Sequence, residues 1–182
     1  MSTNVLIAVI VVAAVVMLAL AALLWAPAAR RRHLRERFGP EYDRTVEEQG
    51  DKRAAERDLR EREQRHDRLG IKELAPDRRQ QYADEWTGVQ RQFVDGPEKS
   101  VTEADELVTR VMGELGYPTE GYEEQVRDLS VRHGRTLEEY RAAHAVKTRS
   151  DAGQATTTEE LREAMVHYRA LFEDLLADQR SR

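Results

Sequence analysis

The chain has 182 residues and a formal net charge of −5, from 29 Lys+Arg against 34 Asp+Glu, with no cysteine. The missing thiols exclude disulfides, cysteine nucleophiles and cysteine-ligated zinc. The acidic balance argues against a nucleic-acid surface, which draws on clustered positive charge.

The first predicted element is the apolar run Val5 to Ala26, and no charged side chain precedes Arg30. As a helix these 22 residues span roughly 33 Å, about the thickness of a bilayer's hydrocarbon layer. A lone apolar run has no partner strands, so in lipid it must satisfy its backbone as a helix. Trp25 lies at the depth where amphipathic rings prefer to sit. A cleaved secretory signal is the competing reading. It would need a basic n-region, a shorter core and a small-x-small cleavage site. Met1 to Asn4 carries no Lys or Arg, and Ala26-Pro27-Ala28 puts a proline between its small residues.

Arg30, Arg31, Arg32, Arg35 and Arg37 follow directly. The positive-inside rule then puts the N-terminus outside and the rest in the cytoplasm. The same arginines could hold anionic lipid headgroups. From Arg30 on, about 41% of residues are charged, against roughly 25% in an ordinary soluble domain, so only part of this tail can bury a core.

Phe38-Gly39-Pro40 breaks the emerging helix. Glu41 to Arg68 then holds 18 charged residues in 28, with acid-to-base pairs at i,i+4: Glu48/Lys52, Glu56/Arg60, Asp58/Arg62 and Glu61/Arg65. This pattern predicts a solvated helical stalk, weakest at Gly50. A coiled-coil seam would use Ala55, Leu59, Arg62, His66 and Leu69, of which only the two leucines suit it.

After Gly70 the pattern turns amphipathic. Pro76 opens a helix carrying Tyr82, Trp86, Val89 and Phe93. A second carries Val101, Ala104, Val108, Val111, Met112 and Leu115 and ends at Gly116. Shorter pieces present Tyr122, Val126 and Leu129, then Leu137, Tyr140 and Ala143 or His144. Lys147 to Thr158 reads as a flexible loop, closed by a Thr157/Glu160 or Thr156/Glu159 capping box. The last helix carries Leu161, Met165, Tyr168, Phe172 and Leu175, with Leu171 and Leu176 widening its face. Nothing alternates as a strand would.

The expected fold is therefore all-α: a transmembrane anchor at 1–29, a basic juxtamembrane segment at 30–40, a charged helical stalk at 41–70 and a helical bundle at 71–182.

Few motifs point to chemistry. No two histidines have the spacing of a helical zinc pair, although Glu163/His167 and Tyr140/His144 each stand one turn apart. His33 and His66 read as solvated. Ser130 has no nucleophile elbow. Gly113-Glu114-Leu115-Gly116 reads as a helix end rather than an RNA-binding GxxG loop. No catalytic, cofactor or metal residue is assigned.

The blocks FGPEYDRTVEEQGDKRAAERDL, FVDGP with VTEADELVTRVMGELGYP, DLSVRHGRTLEEYRAAHA and EELREAMVHYRALFEDLL resemble a widespread uncharacterised bacterial family of single-span or secreted proteins. The resemblance covers most of the chain after Arg30. It implies a folded domain there and carries over no activity.

The expectation is a non-enzymatic scaffold in the cell membrane whose cytoplasmic bundle meets a protein partner or a second copy of itself. Leu161, Met165, Tyr168, Phe172 and Leu175 form the candidate contact face. One rival is an enzyme or small-ligand binder built on His133, Tyr140, Arg141, His144 or His167. Convergence of three of these in one pocket would favour it. The other is the same domain exported after signal cleavage.

Overall fold

A computed structural model describes residues 3–177, with side chains described for 11–17 and 28–177. The helices are α1 (Thr3–Phe38), α2 (Pro40–Gln49), α3 (Lys52–His66), α4 (Pro76–Gln92), α5 (Pro97–Leu115), α6 (Tyr122–Leu129), α7 (Leu137–Asp151) and α8 (Thr158–Ala177). No strand occurs among the described residues, and the fold is all-α. Among those residues no helix is long and apolar enough to cross a membrane. Most side chains of the Val5–Ala26 run, Trp25 included, lie outside them.

The bundle follows the sequence pattern closely. α5 is its central rod, with Val101, Ala104, Leu107, Val108, Val111, Met112 and Leu115 all buried among α4, α7 and α8. Pro76 and Pro97 sit at helix starts, where a missing N–H costs nothing. Gly116 ends α5 at φ 100°, a left-handed conformation that a side chain would strain. The Thr157/Glu160 capping box forms, with Thr157 N–H donating to Glu160 at 2.8 Å and Glu160 N–H to Thr157 Oγ1 at 3.2 Å. The expected loop at Lys147–Thr158 is shorter than its composition suggests, because α7 continues to Asp151. Lys147 and Asp151 pair one turn apart there, at 2.7 Å.

The stalk is corrected. Residues 41–70 do not extend as one solvated helix. Gly50, left-handed at φ 63°, caps α2, and Asp51 restarts the chain by accepting from Arg53 N–H at 2.9 Å. The two helices fold into a hairpin against the end of α1. Leu34, Phe38, Tyr42, Leu59 and Val131 form a second buried core there, with Val46 packed on it. The seam residues Ala55, Leu59 and His66 are indeed buried, but within this chain and not across a coiled coil.

Gly134 makes the closure possible. A Cβ at that position would run into the carbonyl oxygen of Phe38, so a glycine lets the turn after α6 lie directly on the end of α1. Phe38 itself is fully buried.

A fully buried Leu59 leads to a stability prediction. Leu59→Ala should lower unfolding free energy by about 2–5 kcal/mol, while Glu61→Ala on the exposed side should stay within about 0.5 kcal/mol. Urea unfolding in detergent micelles measures both. Equal and small effects would restore the solvated stalk.

Candidate functional site

The most organised polar constellation lies where the hairpin meets the bundle. Asp174 of α8, His133 after α6, Tyr117 after α5 and His66 at the end of α3 form one chain of contacts. His133 Nδ1 lies 2.8 Å from Asp174 Oδ2, and Thr136 Oγ1 donates to the same oxygen at 3.1 Å. Tyr117 Oη is 3.3 Å from His133 Nε2 and 3.5 Å from His66 Nε2. Local structure positions each group. Gly116 turns the chain so that Tyr117 points inward, and the His133 N–H donates to Leu129 O at 2.8 Å.

Electrostatics assign the proton positions. Burial opposes the Asp174 carboxylate, but hydrogen bonds from His133 and Thr136 and the charge of Arg135 hold it below the usual range. The Asp174 carboxylate accepts from His133 Nδ1–H, and in that neutral tautomer Nε2 accepts from the Tyr117 hydroxyl. His66 then donates from Nε2. Its Nδ1 is buried with no hydrogen-bond partner, the carboxylate of Asp67 standing 3.9 Å away. Burial first, then the charges of Arg37 and Arg132, push the His66 imidazole down to about 4, so it is neutral at pH 7.

A carboxylate, an imidazole and a hydroxyl in line is the arrangement that activates a nucleophile. Here it is sealed. His66, Tyr117 and His133 are 5%, 4% and 2% exposed, and none lines the polar or apolar cavities described below. The chain acts as a bolt between hairpin and bundle.

Two buried ion pairs fasten the same seam. Arg141 of α7 grips Glu41 of α2 in a two-pronged contact of 2.5 and 2.7 Å, and Arg65 of α3 reaches the fully buried Asp128 of α6 at 3.2 Å. Burial raises the Asp128 carboxyl despite Arg65. Arg44 also pairs with Glu138.

The five residues of the ligand-pocket reading are scattered. Of them only Arg141 lines the polar cavity between α2, α3, α6 and α7, of about 380 Å³. Tyr140 is buried, donating to Gln125 at 3.2 Å. His144 stacks on Tyr122 at 3.9 Å and faces Asp105, while His167 is half-buried. No group of three or more His, Asp or Glu among the described residues is placed to hold a metal ion.

The candidate contact face is corrected too. Leu161, Met165, Tyr168, Phe172 and Leu175 are at most 8% exposed and belong to the bundle core. What α8 leaves open lies beside that stripe. A groove between α4 and α8 holds two adjoining cavities of about 420 and 180 Å³ that share Gln90 and Arg169. Trp86 stacks on Phe172 at its floor, and Val166 stands exposed at its rim.

The arginine collar is mostly satisfied within the chain. Arg31 meets Glu56 at 3.1 Å, Arg32 meets Glu36 at 2.7 Å and Arg35 meets Asp43 at 3.1 Å. Arg37 stands 3.8 Å from Glu63, and His33 pairs with the same carboxylate at 2.8 Å. Arg30 has no such partner among the described residues.

No family model, curated protein or solved structure matches the chain.

Sequence reasoning missed Tyr117 and Asp174 and took His66 for a solvated residue. No local signal marked them, because the contacts close over separations of 16 to 51 residues.

A neutral buried His66 predicts acid sensitivity. The unfolded imidazole gains its proton near pH 6.5 and the folded one only near 4, so the unfolded state holds more protons in between. Stability should fall by something on the order of 3 kcal/mol as pH drops across that window, then level off with respect to this group. His66→Gln should flatten the decline, read as unfolding midpoint against pH. An unchanged slope would place the acid sensitivity elsewhere.

Proposed function

We propose that this chain is a single-pass, membrane-tethered, non-enzymatic scaffold. In this reading the Val5–Ala26 segment stays in the bilayer, with the N-terminus outside and the helical domain in the cytoplasm. Its working parts are the lipid anchor and a protein partner, with no cofactor and no nucleic acid.

The observation that carries the reading is the union of anchor and domain. α1 is one helix from Thr3 to Phe38, and its last turns are core of the folded part. A helix that begins in an apolar run and ends inside a domain holds that domain at a fixed height and angle. Such stiffness suits presentation of a surface. The burial of His66, Tyr117 and His133 adds support, since only Asp174 at the outer end of that chain meets solvent.

The surface presented is the α4–α8 groove. The apolar lining of Trp86, Phe93, Met165, Val166 and Leu176, bordered by Gln90, Arg169 and Glu173, suits an amphipathic helix of a partner protein.

Two measurements test this. The full chain should resist alkaline carbonate extraction from membranes, and a protease should reach its C-terminal domain only after the cells are opened. Shortened protein free in the medium would overturn the tether and favour the exported reading. A photo-crosslinker at Gln90 should capture a specific protein, or a second copy, and Val166→Glu should abolish capture without lowering the unfolding midpoint. Capture unaffected by Val166→Glu would move the contact surface off the groove.

A further inference from the structure

The hairpin has a direction. Arg35 and Asp43 pair across the Gly39 turn, so α2 runs back along α1 toward the apolar segment. Arg31 meets Glu56, whereas Arg37 meets Glu63 and Asp67, so α3 then runs the same way as α1. The α2–α3 turn at Gly50–Asp51 is therefore the end of the hairpin nearest the apolar run. Glu56 stands level with Arg31, and the turn lies about five residues nearer the apolar run, roughly 7 Å along the helix, which puts it at the border of the hydrocarbon and headgroup layers when Val5–Ala26 fills the hydrocarbon.

Internal pairing leaves an uneven residue of charge at this end. Lys52, Arg53, Arg57 and Arg30 have no hydrogen-bonded or ion-paired side-chain partner among the described residues, and all but the half-buried Lys52 are exposed. The acids nearby are mostly engaged: Glu48 with Arg44, Asp51 as the cap of α3, and Glu56 with Arg31 and Tyr42. Glu47 is the exception. Side chains lean toward the N-terminal end of their own helix, so those of Lys52, Arg53 and Arg57 lean toward the turn.

We propose that the tip of the hairpin, through Lys52, Arg53 and Arg57 together with Arg30, rests on the bilayer and binds the phosphates of anionic lipid headgroups. This rests on the anchor reading above and reassigns the lipid contact. Of the collar, Arg31, Arg35 and Arg37 pair with acids of the hairpin and Arg32 with Glu36 one turn away; the unpaired cations are Arg30 and, some twenty residues later, Lys52, Arg53 and Arg57. The partner is an anionic membrane surface because the tip presents several separate cations around a convex turn, which suits a plane of phosphates. The domain then stands on two points, one buried in lipid and one on its surface, which fixes its rotation about α1.

The test uses the full chain, whose lack of cysteine allows a single Glu47→Cys carrying a fluorophore. The labelled protein is reconstituted into vesicles of phosphatidylcholine alone, or of phosphatidylcholine and phosphatidylglycerol in equal parts, each with a trace of headgroup spin-labelled lipid. Carbonate resistance is scored on the same vesicles. Quenching should be stronger in the anionic vesicles. It should lose half or more of its strength in K52Q/R53Q/R57Q and at high salt, with insertion and helical content unchanged. Inserted protein whose quenching ignores the triple substitution, or is equal in both vesicle types, overturns this inference and leaves the anchor standing. Protein that does not insert overturns both.

Discussion

Phe38 is where the long helix α1 becomes part of a folded domain. Its ring is fully buried, its carbonyl lies against Gly134, and the chain reverses immediately after it at Gly39, where φ is 55°. Everything distal depends on that contact. Without Leu34 and Phe38 the hairpin would keep only Tyr42, Val46 and Leu59 as its own apolar residues, too few for helices so rich in charge. Without the hairpin, the bundle would expose Asp128, His66's partner Tyr117 and the Val131 side chain. The small second core is thus a joint between the long helix α1 and the bundle.

The seam between hairpin and bundle is built mostly from polar groups. Removing an ion pair from water costs several kcal/mol per ion, and good geometry does little more than recover this. Glu41–Arg141 and Arg65–Asp128 are consequently weak sources of stability but strong sources of register, since a misplaced hairpin would leave each charge buried without its partner. The His66–Tyr117–His133–Asp174 chain adds the same selectivity with mostly neutral groups. An apolar seam of equal area would hold as firmly and tolerate sliding.

The bundle was legible because its elements obey local rules. Pro76, Gly116 and the Thr157/Glu160 box punctuate helices whose apolar residues recur at helical spacing, and each stands where the pattern places it. The hairpin was not legible, and its residues show why. Of the four i,i+4 pairs that suggested a solvated stalk, Asp58–Arg62 forms; Glu56 instead turns to Arg31 and Tyr42. A charge pattern that supports an isolated helix looks the same when its acids are aimed at another element. Gly50 was recognised as a weak point, but weakness alone does not distinguish a kink from a reversal. The Leu161–Leu175 face was found correctly as apolar and assigned wrongly as open, since periodicity reports that a face is covered without saying by what.

The same logic explains why the polar site resisted prediction and what it means for function. A catalytic chain and a structural bolt use the same donors and acceptors in the same order; what separates them is access. Tyr117 and His133 are closed off because α3 ends on them with His66, and α3 reaches them only because Leu59 and Phe38 hold the hairpin down. The contact that joins α1 to the hairpin is therefore also the contact that buries Tyr117 and His133. Reaching those groups would require the hairpin to lift from the bundle, breaking two buried ion pairs and exposing a core.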